Sequence, residues 1–326
     1  MNTMSRRAAG AVGAALLLSW AYAGAAAQGY PTRPIRLVVP FPPGGSADVL
    51  ARTVGQHIGR AMGQQVVVEN KAGAGGILGA SEVASSPADG YTLLFANTNI
   101  AINPSIYKKL PYDTAKAFAP VVLMVTVPNL LLVSQALPVN DVAGLIELAK
   151  SEPGKLNYAS AGNGSFPHLA IELFNTQAGV SMTHIPYNGA APALQALLSQ
   201  EVQVLSNDLV NAMQHTKTGK VKALAITGAS RSPMMPHIPT MSEAGLKDYV
   251  AVGWQGIMVA AGTPPAVIAR LNTEINKALR DPALRASLTS QGLQVEGGSA
   301  ADFGKFIRED TVRWSTAVKT SGATIN

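Results

Sequence analysis

The chain has 326 residues, a formal net charge of +6 and no cysteine. The lack of cysteine excludes disulfides, thiol nucleophiles and thiolate metal sites, so stability must come from an ordinary hydrophobic core. The lysines and arginines form no cluster interleaved with aromatic residues, which argues against binding of nucleic acid, while the mild positive charge still favours attraction of small anions.

The first 27 residues have the pattern of a cleaved export signal. Arg6 and Arg7 form a positive start, residues 8–20 are a run of small residues and leucines, and the alanines at 25–27 offer a cleavage site before Gln28. The alternative is a membrane anchor, but the run lacks the roughly 20 strongly apolar residues of a span. We therefore predict that residues 1–27 are a signal peptide and that the mature chain begins at Gln28 with a net charge of +4, because the signal removes two arginines.

Strands and helices alternate in the part of the chain that follows. We predict, in order, a strand at 35–40, an amphipathic helix at 47–62, a strand at 65–69, a helix at 77–86 and a strand at 91–96. This βαβαβ order is typical of a parallel sheet with helices on its faces. Ligands bind beyond the carboxyl ends of such strands, where the loops at 41–46, 71–76 and 97–99 are expected.

The alternation starts again after a long apolar run at 121–133, which Pro128 interrupts. Predicted helices at 142–149, 167–177, 192–198 and 209–217 alternate with predicted strands at 156–160, 182–186, 202–206 and 221–227. A second extended run at 252–260 precedes a long helix from 264, a helix at 282–291, a short strand at 294–295 and a final helix at 300–320.

The two extended runs suggest that one lobe is inserted into another. They predict a first lobe made of two segments, residues 28–128 and residues 252–326, of which the latter contains the C-terminal helices. The second lobe is predicted at residues 129–251. The predicted fold class is therefore α/β, with a mostly parallel sheet flanked by helices in each lobe and two crossings between the lobes.

Two glycine-rich loops each follow a predicted strand and precede a predicted helix. The first loop is residues 41–46 (FPPGGS), and the second loop is residues 161–165 (AGNGS). Glycines let a backbone approach a ligand closely, a serine caps the helix, and the first-turn N–H groups of a helix favour an anion. Neither loop contains lysine or arginine, so helix starts and hydroxyls would carry the recognition.

Several motifs resemble those of one receptor family. They are VVPFPPGG at 38–45, ENKAGAGG at 69–76, PADGYTL at 87–93, HLA at 168–170, PYNG at 186–189 and AAGTP at 260–264. In this order, over the whole mature chain, they resemble the tripartite tricarboxylate transporter substrate-binding proteins, the Bug or TctC family. The resemblance implies a periplasmic binding protein of the type II, Venus-flytrap class, which closes on an organic acid and hands it to a membrane permease.

The resemblance also implies a ligand site built from backbone amides, hydroxyls and ordered waters, with few charged side chains. The residues that it assigns are Phe41, Pro43, Gly44, Gly45, Ser46, Asn97, Thr98, Ala161, Gly162, Gly164, Ser165, Phe166, His168, Asn207 and Asp208. In the second loop, Gly162 and Gly164 would offer amides to a carboxylate. The alternatives are a tight turn for each glycine, and packing against the loop for His168.

Three positions depart from the family pattern. Asn207 stands in place of an acid that contacts ligand amino groups in some members, which argues against amino-acid ligands, and Asn188 stands where lysine is common. Phe166 stands in place of a small polar residue. Together with Phe41 it would offer an apolar face to an aromatic or long-chain acid; the alternative is a phenylalanine packed under the loop.

The sequence does not support an enzyme. The second loop does not read G-x-S-x-G, no placed acid completes a triad with Ser165 and His168, and the glycines at 73–79 do not read G-x-G-x-x-G. The five histidines have no metal-ligand spacing. We therefore predict no catalytic activity, no metal and no cofactor.

The expected partners follow from the resemblance. They are a mono- or dicarboxylate and the permease subunits of a tripartite tricarboxylate transporter, with the receptor acting as a monomer in the periplasm; Phe166 and Phe41 add the hypothesis of an aromatic acid. The alternative is a periplasmic sensing module that uses the same pocket but signals to a membrane sensor.

Overall fold

The computed structural model describes residues 29–44, 46–187 and 189–323. The predicted signal peptide and its cleavage site therefore lie outside the described residues, as do Gly45 and Asn188. Within the described ranges no helix has the length and apolar character needed to cross a membrane. No group of three or more histidine, aspartate or glutamate side chains in the same ranges is placed to hold a metal ion.

Helices and strands alternate along the described chain. The strands are β1 (Ile35–Val39), β2 (Val66–Asn70), β3 (Thr92–Asn97), β4 (Phe118–Ser134), β5 (Asn157–Ser160), β6 (Thr183–Pro186), β7 (Val204–Asp208), β8 (Val221–Ile226), β9 (Val252–Ala260) and β10 (Gln294–Val295). The helices are α1 (Ser46–Met62), α2 (Ile77–Ala84), α3 (Asn99–Ile106), α4 (Thr114–Ala117), α5 (Val142–Ser151), α6 (Phe166–Ala178), α7 (Ala190–Leu198), α8 (Leu209–Lys217), α9 (Pro265–Arg280), α10 (Pro282–Ser290) and α11 (Ala300–Ser321). The predicted α/β fold is confirmed.

The chain forms two compact units, each made of three segments. Unit 1 contains the described residues up to Phe95, Ala115–Val122 and Ile257–Ala278; unit 2 contains Ala96–Thr114, Leu123–Gly256 and the described residues from Leu279. The chain changes units five times, within β3, α4, β4, β9 and α9. The lobe boundaries predicted at residues 128 and 251 stay a prediction. The two units are defined by contacts between residues, whereas a lobe is defined by moving as one body.

Unit 1 is built on parallel strands. β1 lies between β2 and β3, with Ile35 opposite Val66 and Leu37 opposite Leu93. α1 covers this sheet and buries Leu50 and other apolar residues that recur every four positions. The carboxyl end of β1 leads directly into the first loop and then into α1.

Unit 2 has a mixed sheet. β5 runs parallel to both β6 and β7, while β4 runs antiparallel to β7 and β8. The antiparallel register sets Asn129 of β4 opposite Asp208, the last residue of β7. The residue at which β4 begins to pair with β7 therefore lies at the same edge of the sheet as the carboxyl ends of the parallel strands.

β4 is one continuous strand of 17 residues, although the sequence predicted that Pro128 would interrupt it. Proline has no N–H to donate to a ladder. Pro128 lies between Thr126, which pairs with β10, and Asn129, which begins the pairing with β7. The strand therefore passes through the proline at a point between these two ladders.

Candidate ligand site

The first loop is held by the side chain of a buried acid in unit 1. The N–H of Gly44 donates to Oδ2 of Asp48 at 3.0 Å, and Asn70 Nδ2 donates both to Asp48 Oδ1 at 2.9 Å and to the carbonyl of Phe41 at 3.1 Å. Arg52 donates to the same carboxylate at 3.0 Å. The amide of Gly44, which the sequence predicted to face a ligand, therefore already has a carboxylate acceptor within the protein.

The carboxyl group of Asp48 stays ionised. The hydrogen bond from Arg52, followed by that from the Gly44 amide, lowers the pKa of Asp48 to about 2. Of the predicted site residues in this loop, Pro43 and Gly44 are exposed and Phe41 is partly exposed. α1 begins at Ser46, and whether any of these residues contacts a ligand stays a prediction.

The second loop, in unit 2, uses its glycine amides internally. The N–H of Gly162 donates to Ser160 Oγ at 3.1 Å, and the N–H of Gly164 donates to His168 Nδ1 at 3.0 Å. Both amides therefore already have acceptors within the protein, and their expected contact with a ligand carboxylate stays a prediction. The first-turn amides of the following helix, α6, include that of Phe166. An α-helix leaves such amides without intrahelical partners.

Ser165 precedes α6 and caps it without a side-chain hydrogen bond. Its Oγ is buried and has no hydrogen-bond partner among the described residues. A buried hydroxyl without a partner costs free energy, and a ligand or a water molecule that accepts its proton would recover that cost. The predicted role of Ser165 as a hydroxyl donor to a ligand stays a prediction.

His168 belongs to a stack of rings beneath the second loop. The centroids of His168 and His184 lie 3.8 Å apart at an interplanar angle of 11°, and Tyr158 stacks on His184 at 5.0 Å. Burial, followed by the neighbouring His184, lowers the pKa of His168 to about 4, and burial lowers the pKa of His184. His168 is therefore neutral at pH 7, accepts from Gly164 through Nδ1, and supports the loop by packing and hydrogen bonding.

A pocket of about 200 Å³ lies within unit 2. It is lined by Asn97, Thr98, Asn99, Val127, Asn129, Phe166, Gly253, Trp254 and Gln255. None of these lining residues carries a charge. Three of them, Asn97, Thr98 and Phe166, are predicted site residues. The others come from the start of α3 and from the parts of β4 and β9 that pass through unit 2.

The pocket walls are fixed by hydrogen bonds. Thr98 Oγ1 accepts the backbone N–H of Trp254 at 2.9 Å, and Asn129 Nδ2 donates to Ser206 Oγ at 3.1 Å. By contrast, Oε1 of Gln255 is buried and has no hydrogen-bond partner in the described part of the chain. The pocket therefore combines a rigid polar frame with an unused acceptor.

Asn207 and Asp208 do not line this pocket. Asn207 is 3% exposed, within β7. Asp208 caps α8, since its Oδ1 accepts the N–H of Asn211 at 3.0 Å. Their predicted contact with a ligand stays a prediction, and the structure gives Asp208 a helix-capping role.

The sequence missed the lining residues that come from β4 and β9. Residues 127–129 and 253–255 lie in extended apolar runs that the sequence marked only as crossings between lobes. Residues 127–129 are placed by the antiparallel register of β4 against β7, and residues 253–255 by β9, the neighbour of β4 in the sheet. The amide side chain of Asn129 inside an apolar strand was the local signal that could have indicated a site.

A larger groove of about 850 Å³ runs along α1 and β2 in unit 1. Its lining includes Pro34, which immediately precedes β1, and residues 63–68, which lead into β2 and form its first three positions. It therefore lies toward the amino ends of these parallel strands, whereas ligands of such sheets bind beyond the carboxyl ends. We do not assign the ligand site to this groove.

Comparisons with known proteins agree on one family. A family model described as "Tripartite tricarboxylate transporter family receptor" matches residues 50–323. BugT of Bordetella pertussis is 37% identical over 299 residues, which is 91% of this chain and 92% of BugT. The structure of R. palustris Rpa4515 with adipate is 37% identical with a TM-score of 0.75, and covers 91% of this chain and 100% of its own.

A second solved structure extends the comparison to another bound acid. MatC from Rhodopseudomonas palustris, with bound malate, is 34% identical with a TM-score of 0.70, and the match covers 89% of this chain and 100% of MatC. The family model spans residues 50–323 and so includes the second glycine-rich loop, and each of the other matches covers about nine-tenths of the chain. The chain belongs to the tripartite tricarboxylate transporter receptors, the TctC or Bug family of periplasmic solute-binding proteins.

Proposed function

We propose that this protein binds an organic acid as its carboxylate and delivers it to the membrane subunits of a tripartite tricarboxylate transporter. The observation that carries the proposal is the uncharged, amide-rich lining of the unit 2 pocket, which reaches the start of α6 at Phe166. Side-chain amides and the first-turn N–H groups of a helix bind a carboxylate without a cationic partner. Adipate and malate in two structural relatives support the same class of ligand.

A neutral binding site suits a receptor that must release its ligand. A buried arginine–carboxylate pair leaves a costly unpaired charge when the ligand departs. The lining of this pocket contains no charged residue, so release leaves only neutral donors and acceptors that water can satisfy. Binding and release therefore require no charged side chain in the pocket lining.

The test is a measurement of ligand affinity on the purified protein. We expect adipate, malate and other carboxylates to raise the melting temperature, with about 2.7 kcal/mol of stabilisation at 100 times the dissociation constant. Adipamide, which has the length of adipate but no charge, is the matched control and is expected to give no shift. Equal shifts with adipate and adipamide, or shifts with sugars and with no acid, would show that the protein does not recognise carboxylates.

Ser165→Ala tests the predicted hydroxyl contact. Since Ser165 Oγ has no partner in the described structure, its removal is expected to leave the free protein at least as stable while weakening acid binding about five- to tenfold. Ser81→Ala is the matched control, because Ser81 Oγ is also buried and without a partner but lies on α2 in unit 1. An equal effect of the two substitutions on the affinity would exclude a specific role for Ser165.

Delivery needs a separate measurement. Proteoliposomes that contain the permease subunits are expected to accumulate a labelled acid only when the loaded receptor is added outside. If the loaded receptor instead changes the activity of a membrane sensor and supports no uptake, the sensing alternative replaces transport.

A further inference from the structure

β2 is an open edge of the parallel sheet in unit 1. It pairs with β1 and with no other strand of the described chain. The N–H of Ile35 donates to the carbonyl of Gln65 at 2.8 Å. Successive residues of a strand direct their backbone groups to opposite sides, so the N–H and carbonyl groups of Val66 and Val68 point away from β1. β2 contains neither lysine nor proline, which protect many natural edges, so this edge can accept a further strand.

α1 lies close to β2 because it carries glycines where the two elements meet. A Cβ added at Gly55 would lie 3.2 Å from Val66 Cγ1, and one added at Gly59 would lie 2.9 Å from the carbonyl oxygen of Gln64. The groove of about 850 Å³ in unit 1 is lined by this side of α1 and by residues 64–68. The three valines of β2 are partly exposed, so the groove runs beside an accessible strand.

The side of α1 that lines the groove is basic. Arg52 and Arg60 are the charged residues of the lining, which contains no acid, and both are exposed. Arg52 donates to Asp48 at 3.0 Å and to Asn70 Oδ1 at 3.1 Å. Arg60 forms no ion pair with any residue that the structure describes. The groove therefore holds a positive charge that the surrounding side chains leave uncompensated.

The spacing of the two arginines matches that of side chains in an extended peptide. Arg60 is eight positions after Arg52, which is about 12 Å along a helix at about 1.5 Å per residue. Positions i and i+4 of a strand share a face and lie about 13 Å apart at about 3.3 Å per residue. Arg52 reaches Asn70 at the end of β2, while Gly59, beside Arg60, meets the residues that lead into β2. Two acids four positions apart in an added strand would therefore lie opposite the two arginines.

A second copy of this chain fits the edge poorly. In an antiparallel pair of β2 strands, the end of β2 near Arg60 in one copy would lie opposite the end near Arg52 in the other. Two arginines would then face each other, and like charges opposite each other destabilise a strand pair. The charge of the groove therefore favours an acidic segment from a different protein.

We propose that this edge of unit 1 docks an extended acidic segment of a membrane subunit of the transporter, which adds to β2 as a further strand. The backbone groups of Val66 and Val68 supply the hydrogen bonds, and Arg60, together with Arg52, binds acidic side chains four positions apart. The proposal rests on the proposed function, since it assigns a surface to the delivery step. The ligand pocket of unit 2 takes no part in this contact.

Photo-crosslinking identifies the occupant of the groove. The chain has no cysteine, so Gln56→Cys, in the groove lining, places a single thiol there for a benzophenone label. When the loaded receptor is added to proteoliposomes that contain the membrane subunits, we expect a crosslink to an acidic segment of one subunit. Ser287→Cys, at an exposed position on α10, is the matched control and should not form this product.

Every other crosslinking result contradicts the proposal. A product with a second receptor would show that the edge pairs with itself, and a product with lipid would show that the arginines face the membrane. A product with a segment that contains no acidic residue would remove the role of the charge. The proposal also fails if Gln56→Cys gives no product, or if both positions give the same product.

Charge reversal separates docking from ligand binding. Arg60→Glu is expected to raise the receptor concentration for half-maximal uptake about tenfold, because an acid there repels the acidic segment. The affinity for the acid, measured by calorimetry, should stay unchanged. Arg285→Glu, at an exposed arginine of α10, makes the same change in net charge and should behave like wild type. Equal effects of the two substitutions on uptake would indicate a general attraction by charge and would refute a specific groove.

Hydrogen exchange tests the strand pairing. The amides of Val66 and Val68 point to the open edge, and we expect the membrane subunits to slow their exchange by about tenfold or more. The amides of Val67 and Glu69 face β1 and provide the internal control, since they are already paired in the free receptor. Unchanged exchange at Val66 and Val68 in the complex would exclude strand addition.

The outcomes also separate this proposal from the proposed function. If wild type supports uptake and Arg60→Glu supports it equally well, the docking site is refuted while delivery to the transporter stands. If wild type binds acids but supports no uptake, the delivery step of the proposed function fails, and this proposal fails with it.

Discussion

Replacing His168 by asparagine should remove a pH dependence of stability from unit 2. The pKa of His168 is lowered from its ordinary 6.5 to about 4, first by burial and second by His184. Between these two values the unfolded chain binds a proton that the folded chain does not, so the folded state loses stability as the pH falls from 6.5 to 4. Asparagine does not titrate, and its Oδ1 can take the place of Nδ1 as the acceptor for Gly164.

The expected size follows from the shift in pKa. One unit corresponds to 1.36 kcal/mol, and the linkage relation gives a loss of about 2.5 kcal/mol for wild type between pH 7.5 and pH 4.5 from this one residue. His168→Asn should lose about 2.5 kcal/mol less than wild type over this range. A constant offset between the two proteins is also expected, because asparagine does not stack on His184.

Urea denaturation followed by tryptophan fluorescence is the assay. The tryptophans at 254 and 314 both lie in unit 2 with His168, and the third, Trp20, lies in the predicted signal peptide. The fluorescence of the mature protein therefore reports the unfolding of the unit that holds the histidine. His237→Asn, at an exposed position, is the control and should follow wild type. Parallel pH curves for wild type and His168→Asn would refute the assignment of a buried neutral imidazole.

Two further predictions concern unit 1. Asp48→Asn should lower the free energy of unfolding by about 2 kcal/mol at pH 7, because it removes the charge that Arg52 and the Gly44 amide stabilise. Because the pKa of Asp48 is lowered, this stabilisation is present above pH 3.8 and is lost as the pH falls through about 2. In denaturant titrations, the difference in unfolding free energy between Asp48→Asn and wild type should therefore shrink between pH 3.8 and about 2. A difference that stays constant over this pH range would contradict the role of the Asp48 charge. Gly90→Ala should cost about 3 kcal/mol, since Gly90 has a φ of +81° and an added Cβ would lie 2.3 Å from Val267 Cγ1. Gly63→Ala has a similar φ of +67° but open space around it, so thermal or chemical unfolding should show about 1 kcal/mol there, and equal losses at the two glycines would exclude the steric explanation.

The parts of the fold that depend on local periodicity could be predicted. The helix predicted at 47–62 is Ser46–Met62 in the structure, because its apolar residues recur every four positions and Gly63 ends it. α3 was missed, since Pro104 and the asparagines around it break the helical pattern that the structure nevertheless adopts. The course of β4 through Pro128 could not be read either, because it depends on which neighbouring strands pair on each side of the proline.

The site was predicted in part, where local sequence patterns indicate it. Asn97 ends β3, Thr98 follows it, and Phe166 begins α6 after the second loop; a strand followed by a polar loop and a helix start is visible in sequence. Trp254 and Gln255 enter the pocket from β9, at a distance along the chain that no local pattern specifies. The bonds that occupy the amides of Gly162 and Gly164 were also hidden, because each acceptor is a side chain whose direction only the folded structure gives.

The two glycine-rich loops look alike in sequence and differ in charge. In each, a loop glycine donates its N–H to the side chain four residues later, which is the third residue of the helix: Gly44 to Asp48, and Gly164 to His168. The acceptor in unit 1 is an ionised carboxylate, so the start of α1 already holds an anion. The acceptor in unit 2 is a neutral imidazole, and the positive end of the α6 dipole is not compensated by an acid in its first turn. We therefore expect the carboxylate of the ligand to bind at the start of α6, beside Ser165 and the pocket that Phe166 lines.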